Sequence, residues 1–273
     1  MTLGAGRVRE LLDRHDVRLR QSLGQNFVVD PNTVERIVRL AGIEPGDRVV
    51  EIGAGCGSLT VALADAGARV TAIEIDGRLI PVLAEVLDGL AVEVLNVDAT
   101  GLDWDALCGD DRWVLVANLP YNVGTGIVLD ALVDAPRIDR MVVMVQREVA
   151  ERFVAPAGSA LRGIPSVVVD HFATAEIVAR VPPTVFFPTP RVDSAVVRLD
   201  RHDDADAFAR WVGVEPLVRA AFGQRRKMVR RSLAALAEPG DFVAADVNES
   251  ARPEELTVAQ WLRLAEAVAG GAS

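Results

Sequence analysis

The chain has one tyrosine, one lysine, two cysteines and three histidines among 273 residues. Cys56 and Cys108 stand far apart without metal-ligating neighbours, which argues against a disulfide scaffold or a zinc site and suits a reducing cytoplasm. No bound metal is expected. His15, His171 and His202 are scattered and suggest no proton relay; His171 reads as a structural residue on a strand. No apolar run approaches the ~20 residues of a membrane-spanning helix, so a soluble protein is expected. Met1 to Arg20 mixes five arginines with Glu10, Asp13 and Asp16 and has no apolar segment, so a signal peptide is not expected either. The lack of lysine is what a base composition favouring arginine codons produces.

Basic charge is also short overall, with a net charge of −10. That is the wrong sign for a polyanion partner if charge were spread evenly, because phosphate neutralisation supplies most nucleic-acid affinity. It is not spread evenly. Acids gather at Asp103, Asp105, Asp110 and Asp111 and again from Asp200 to Asp206, whereas Arg219 to Arg231 holds six cations and no acid. A locally basic face on an acidic chain can still grip a polyanion.

Through the first two-thirds, β-branched runs alternate with helical patterns, the signature of a parallel sheet built from βαβ units. Strands are expected at Arg48–Ile52, Arg69–Ile75, Ala91–Asn96, Trp113–Ala117 and Met141–Gln146. Helices are expected at Asn32–Ala41, Ser58–Ala66, Gly77–Leu87 and Ile127–Asp134, the first opened by Asp30-Pro31. After Arg147 come a helix through Phe153, a turn at Pro156–Ser159, and two more strands near Ser166–Phe172 and Ser194–Leu199. Between those two, Val181 to Arg191 carries four prolines and reads as a stiff extended loop. From Asp203 only helical stretches recur, at Pro216–Ala221, Met228–Ala237 and Thr257–Val268. The expected division is therefore 1–202, an α/β domain, and 203–273, a small helical domain.

Val49-Val50-Glu51-Ile52-Gly53-Ala54-Gly55-Cys56-Gly57 places glycines at a strand exit, where backbone must approach a ligand closely. The third glycine comes one residue earlier than in a dinucleotide fingerprint, which counts against a nicotinamide-dependent dehydrogenase. Glu74 follows about twenty residues later, where a carboxylate can accept both hydroxyls of a ribose. Asp98 ends the next strand, within reach of an adenine amino group. Either acid alone could cap a helix; glycine turn, ribose acid and adenine acid on successive strand ends together indicate a bound adenosine nucleoside.

The fourth strand runs into Asn118-Leu119-Pro120-Tyr121. An exocyclic amine on an aromatic ring is a poor nucleophile because its lone pair is delocalised. Oxygen acceptors from the Asn118 side chain and the backbone near Leu119-Pro120 can favour a pyramidal nitrogen whose lone pair faces a methyl donor. Tyr121 would stack on the base. Phe186, stiffened by neighbouring prolines, would face its other side if the base is turned out of its stack.

These motifs resemble the KsgA-type ribosomal RNA adenine-N6 dimethyltransferases over nearly the whole chain. Gln21 to Val28 is similar to that family's N-terminal cofactor motif, and the Val145 to Val149 segment and the Phe186 to Ser194 loop follow in the expected order. Ala221-Phe222-Gly223-Gln224-Arg225-Arg226-Lys227 resembles its Phe-x-Gln-Arg-Arg-Lys signature, and Leu256 to Trp261 its closing helix. The sequence departs from the family pattern at Ala54 and Cys56, in the stretches Asn122 to Gly126 and Met228 to Ser232, and in the Ala155 to Gly163 loop. The resemblance implies a class I S-adenosylmethionine-dependent methyltransferase fold, Rossmann-like, with a mostly parallel seven-stranded sheet and a small helical C-terminal domain. It implies cofactor contacts from Asn26, Val28, Gly53, Gly55, Glu74, Asp98 and Asn118, and RNA contacts from Arg191, Arg225, Arg226, Lys227 and Arg230. The implied substrate is two adjacent adenosines in the 3′-terminal hairpin loop of small-subunit ribosomal RNA, each dimethylated on N6 within an immature 30S particle by a monomeric enzyme. The rivals are a large-subunit ribosomal RNA methyltransferase of the macrolide-resistance type and a non-enzymatic assembly factor.

Overall fold

In the computed structural model, residues 3–20 and 23–271 are described. Gln21 and Ser22, which open the N-terminal motif, lie outside the described residues. The elements in chain order are α1 (Ala5–Arg14), β1 (Phe27–Val28), α2 (Pro31–Ala41), β2 (Arg48–Ile52), α3 (Ser58–Asp65), β3 (Arg69–Ile73), α4 (Ile80–Val86), β4 (Val92–Leu95), α5 (Trp104–Cys108), β5 (Trp113–Asn118), α6 (Gly124–Asp134) and β6 (Ile138–Gln146). They continue as α7 (Arg147–Phe153), α8 (Ile164–Phe172), β7 (Ala173–Val181), β8 (Phe186–Phe187), β9 (Ser194–Arg201), α9 (Ala207–Gly223), α10 (Val229–Ser232), α11 (Pro239–Ala244) and α12 (Val258–Gly271).

Seven strands form one sheet in the order β4-β3-β2-β5-β6-β9-β7, and β1 and β8 make a separate antiparallel pair. The pairs from β4 to β6 are parallel, and β9 runs antiparallel to β6. Strand order reverses between β2 and β5, which leaves a crevice at their carboxyl ends where ligands of such sheets bind. Buried Val49, Val70, Val116 and Val142 fill the sheet interior against Val34 and Ile37 of α2. Asp30 caps α2 by accepting the Thr33 N–H at 2.8 Å, the role expected of it.

The chain divides into two compact units, 1–150 with 175–201, and 151–174 with 202–273. The division expected at residue 202 therefore needs one correction, because 151–174 belongs to the second unit. The reason is a mistaken strand. Ser166–Phe172 lies in helix α8, whose Val167-Val168-Val169 run has the β-branched composition of a strand. Tertiary packing overrides it: the rings of His171 and Phe172 lie 5.3 and 5.8 Å from that of Trp211 on α9. His171 is thus helical, and its ring nitrogen bonds the Ala207 carbonyl at 2.8 Å, a structural role. Buried Arg162 holds the same unit by donating to the Ala155 carbonyl and to Asp170 at 3.0 and 2.8 Å. Two helical expectations also change in extent. Pro216 sits inside the longer α9, and Met228–Ala237 contains only the short α10.

Candidate active site

The glycine turn follows β2 directly. Gly53, Gly55 and Gly57 have φ of 77°, 59° and 87°, a region that side chains disfavour. A Cβ on Gly55 would lie 2.7 Å from the Phe27 ring, so the β1 segment packs straight onto the turn. The N–H groups of Gly53 and Ala54 bond the Ile73 carbonyl and so tie the turn to β3.

Just past β3, Glu74 is buried and accepts N–H bonds from Gly55 and Asp76, each at 2.8 Å. Burial raises its pKa, while those N–H bonds pull the other way. A carboxylate has about four acceptor positions, so two N–H bonds orient Glu74 and leave capacity for a diol. Beneath the turn, Glu51 is fully buried and burial pushes its carboxyl up to about 8, against a lowering influence from Thr60. Asp98 is exposed and accepts from the backbone and hydroxyl of Thr100, which hold its carboxyl below the usual range.

Two hollows share Leu23, Gly53, Ile75 and Pro120 as walls. One, of about 140 Å³, is lined further by Val97, Asp98 and Ile127. The other is lined by Asn26, Gly55, Glu74, Asn118 and Tyr121. The Ile75 and Val97 side chains are 48% and 41% exposed, flat apolar surface of the kind a purine ring covers. Neither had been assigned a role, although each adjoins an expected acid in Glu74-Ile75 and Val97-Asp98. That adjacency was the available signal. The donor set, a ribose-type carboxylate, apolar walls and a rim acid, fits an adenosine-bearing cofactor.

Asn118 ends β5 at the switch point. Its amide nitrogen donates to the Asn26 carbonyl at 2.8 Å, which turns the side-chain oxygen away from that contact. The Leu119 N–H bonds Met144 on β6, and the Pro120 carbonyl accepts from Val123 and Gly124. Gly124, in one of the departing stretches, has a reason to be glycine: a Cβ there would stand 3.0 Å from that of Leu119. Tyr121 is half-buried and its hydroxyl lies 2.7 Å from that of Ser194; burial raises its pKa.

Two expected contacts are not placed at these hollows. Val28 is buried in the core and pairs with Phe186 across the β1–β8 ladder. Phe186 is 3% exposed within the same cluster, so it packs the core, and facing a base would require its ring to leave that cluster. Phe187 is the more exposed of the two, with the Arg9 guanidinium 4.8 Å above its ring. Arg191 is exposed on the proline-rich loop.

In the second unit, Arg226 is exposed. Arg225 donates to the Ala160 carbonyl at 2.6 Å and lies 3.6 Å from Glu254. Lys227 donates to Gln224 at 2.7 Å, and Arg230 pairs with Glu249 at 2.8 Å.

A seven-stranded sheet in this order, with a crevice at its switch point, is the fold of a class I S-adenosylmethionine-dependent methyltransferase. Residues 17–270 match the family described as ribosomal RNA adenine dimethylase. The chain is similar to the ribosomal RNA small subunit methyltransferase A of Kineococcus radiotolerans, 46% identical over 99% of this chain and 93% of that one. It is 42% identical to the protein of the same name from Cutibacterium acnes, over 98% and 94%. Among solved structures, a dimethyladenosine transferase from Plasmodium falciparum superposes with a TM-score of 0.72 at 25% identity, covering 86% of this chain and 94% of that one. The 23S rRNA methyltransferase ErmE superposes with a TM-score of 0.68 at 30% identity, covering 89% and 99%. The chain belongs to the ribosomal RNA adenine dimethylase family.

Proposed function

We propose that this enzyme transfers methyl groups from S-adenosylmethionine to N6 of two adjacent adenosines in the 3′-terminal hairpin loop of small-subunit ribosomal RNA. It acts as a cytoplasmic monomer on an immature 30S particle. The observation that carries the chemistry is the clamped Asn118 amide at the wall of the hollow that also contains Glu74 and Tyr121. The small-subunit target is supported by the names of the relatives and by the Gln-Arg-Arg-Lys segment.

The cofactor supplies an electrophilic methyl group on a sulfonium. Glu74 receives the ribose hydroxyls, Ile75 and Val97 flank the adenine, and Asp98 meets its amino group. Asn26, whose carbonyl already holds Asn118, borders the same hollow. Asn118 Oδ1 accepts a hydrogen bond from one N–H of the target amine. Because the Pro120 carbonyl is engaged within its own turn, we assign the second acceptor to the Leu119 carbonyl. Two acceptors so placed favour the pyramidal nitrogen and stabilise the charge that develops on it, and Tyr121 stacks on the ring. Positioning carries the rate enhancement, with no side chain acting as a base in the methyl transfer.

On the second unit, Arg226, Lys227 and Arg230 contact phosphate. Arg225 chiefly secures the loop around Ala160 and Glu254 to the basic segment.

The test is mass spectrometry of nucleosides from immature small subunits and from large-subunit RNA, each incubated with enzyme and S-adenosylmethionine. Dimethyladenosine in the small-subunit RNA alone is the expected result. Modification of the large-subunit RNA alone would assign the chain to the ErmE-like activity, and no product from either would leave an assembly factor.

A further inference from the structure

Two motifs remain without a task in this scheme, the Gln146-Arg147 segment and the end of the proline-rich loop at Asp193-Ser194. The structure joins both to Tyr121. Ser194 is fully buried and is the first residue of β9, where it pairs with Gln146, the last residue of β6. Its hydroxyl lies 2.7 Å from that of Tyr121. The preceding residue is held as well: the Arg147 N–H donates to the Asp193 carbonyl at 3.0 Å, and the Arg147 guanidinium meets the Asp193 carboxylate at 3.2 Å. Asn118 pairs with Met144 on the same strand β6. The group that holds the amine and the group that holds the ring are therefore registered on one strand, two residues or ~6.6 Å apart.

We propose that Ser194 is a positioning residue for methyl transfer, its buried hydroxyl tethering the far end of Tyr121 so that the ring is held where it stacks on the target adenine. A tyrosine side chain turns about two bonds, and its hydroxyl oxygen lies on the axis of the second, so holding that oxygen stops the swing about the first and leaves the ring free only to turn in place. The ring then waits at the stacking position, and the cost of ordering it is met on folding. The Arg147–Asp193 pair stiffens the point from which the tether hangs. This inference rests on Tyr121 being the base-stacking ring.

Single-turnover methylation of immature small subunits tests it, with wild type, Ser194→Ala, Tyr121→Phe, the double variant and Tyr121→Ala. Ser194→Ala and Tyr121→Phe are each expected to slow the chemical step about tenfold with KM for S-adenosylmethionine unchanged. The double variant is expected to be no slower than either single one, because both remove the same bond. Full rate in Ser194→Ala, or losses that multiply in the double variant, would overturn the tether. If Ser194→Ala does not fold, Tyr121→Phe decides alone, since it removes the bond while leaving the buried serine in place; full rate in it would equally overturn the tether. Tyr121→Ala separates this proposal from the stacking role beneath it: a full rate there would remove the stacking role itself, whereas a large loss beside an unimpaired Ser194→Ala would remove only the tether.

Discussion

The carboxyl edge of the sheet and the basic segment of the second unit carry comparable shares of the motif evidence, yet they are built in opposite ways. At the sheet edge the polar groups are buried or half-buried and already engaged: Glu74 holds two backbone N–H groups, Asn118 is clamped by Asn26, and Tyr121 is bonded to Ser194. In the basic segment the cations are half-exposed or exposed; Arg230 pairs with the half-exposed Glu249, and only Arg225 meets a mostly covered acid, Glu254. Removing one group from a prebuilt site leaves its partners misplaced or unpaired. Removing one exposed cation subtracts one positive charge from several. Chemistry that needs sub-ångström placement uses the first design, and attraction to a polyanion needs only the second.

The sharpest test of that contrast is Asn118→Ala, expected to cut single-turnover methylation by roughly 10²–10³-fold while RNA affinity changes less than about twofold. Filter binding beside rapid-quench rates measures both, and parallel losses would erase the distinction. Next is Glu74→Ala, which loses a ribose acceptor and strands two buried N–H groups. Its affinity for S-adenosylmethionine is expected to fall at least tenfold, and its stability by about 1–3 kcal/mol, read by calorimetry and denaturant unfolding. Full stability would mean that the turn does not depend on this carboxylate.

Glu51 refines the comparison through pH. Its folded pKa, near 8, is raised above the ordinary glutamate value of 4.5. The folded state therefore keeps a proton that the unfolded state releases. The stability contributed by this group is fully present below about pH 4.5 and is lost as pH rises toward 8. Glu51→Gln stays neutral throughout and is expected to have a higher Tm than wild type at pH 8, the two curves converging near pH 4.5. A constant offset across that range would show that the carboxyl ionises in the folded protein as it does in the unfolded chain.

The smallest effects are expected in the basic segment. Arg226→Ala and Lys227→Ala should each weaken RNA binding and reduce the slope of log affinity against log salt by about one. Arg225→Ala should change that slope less and lower the Tm of the protein instead, because its guanidinium is engaged by Ala160 and Glu254. A slope change for Arg225 as large as that for Arg226 would return Arg225 to the phosphate-binding set.

Much of this was legible along the chain. Glycines that need positive φ, acids at strand ends and a proline after Asn118 are local requirements, and local requirements leave local patterns. The misreadings were all decided by packing. Val167 to Val169 has strand composition and helical structure because α8 has α9 to pack against. Phe186 and Phe187 are neighbours in sequence, so nothing in their order says which ring the β1–β8 ladder turns into the core. Ile75 and Val97 look like ordinary strand-end residues until the fold leaves them exposed across a shared crevice.

By itself, the order of residues determined the alternating α/β architecture, the glycine turn after β2 and the Asn118–Tyr121 tip of β5, because each depends on backbone conformation or strand exit within a few positions. Only the tertiary structure decided that Asn26 orients Asn118 and that Ser194 reaches Tyr121, contacts spanning 92 and 73 residues. It also decided that residues 151–174 join the second unit. Such pairings are made when distant segments bury apolar surface together, and no local pattern encodes which partners meet.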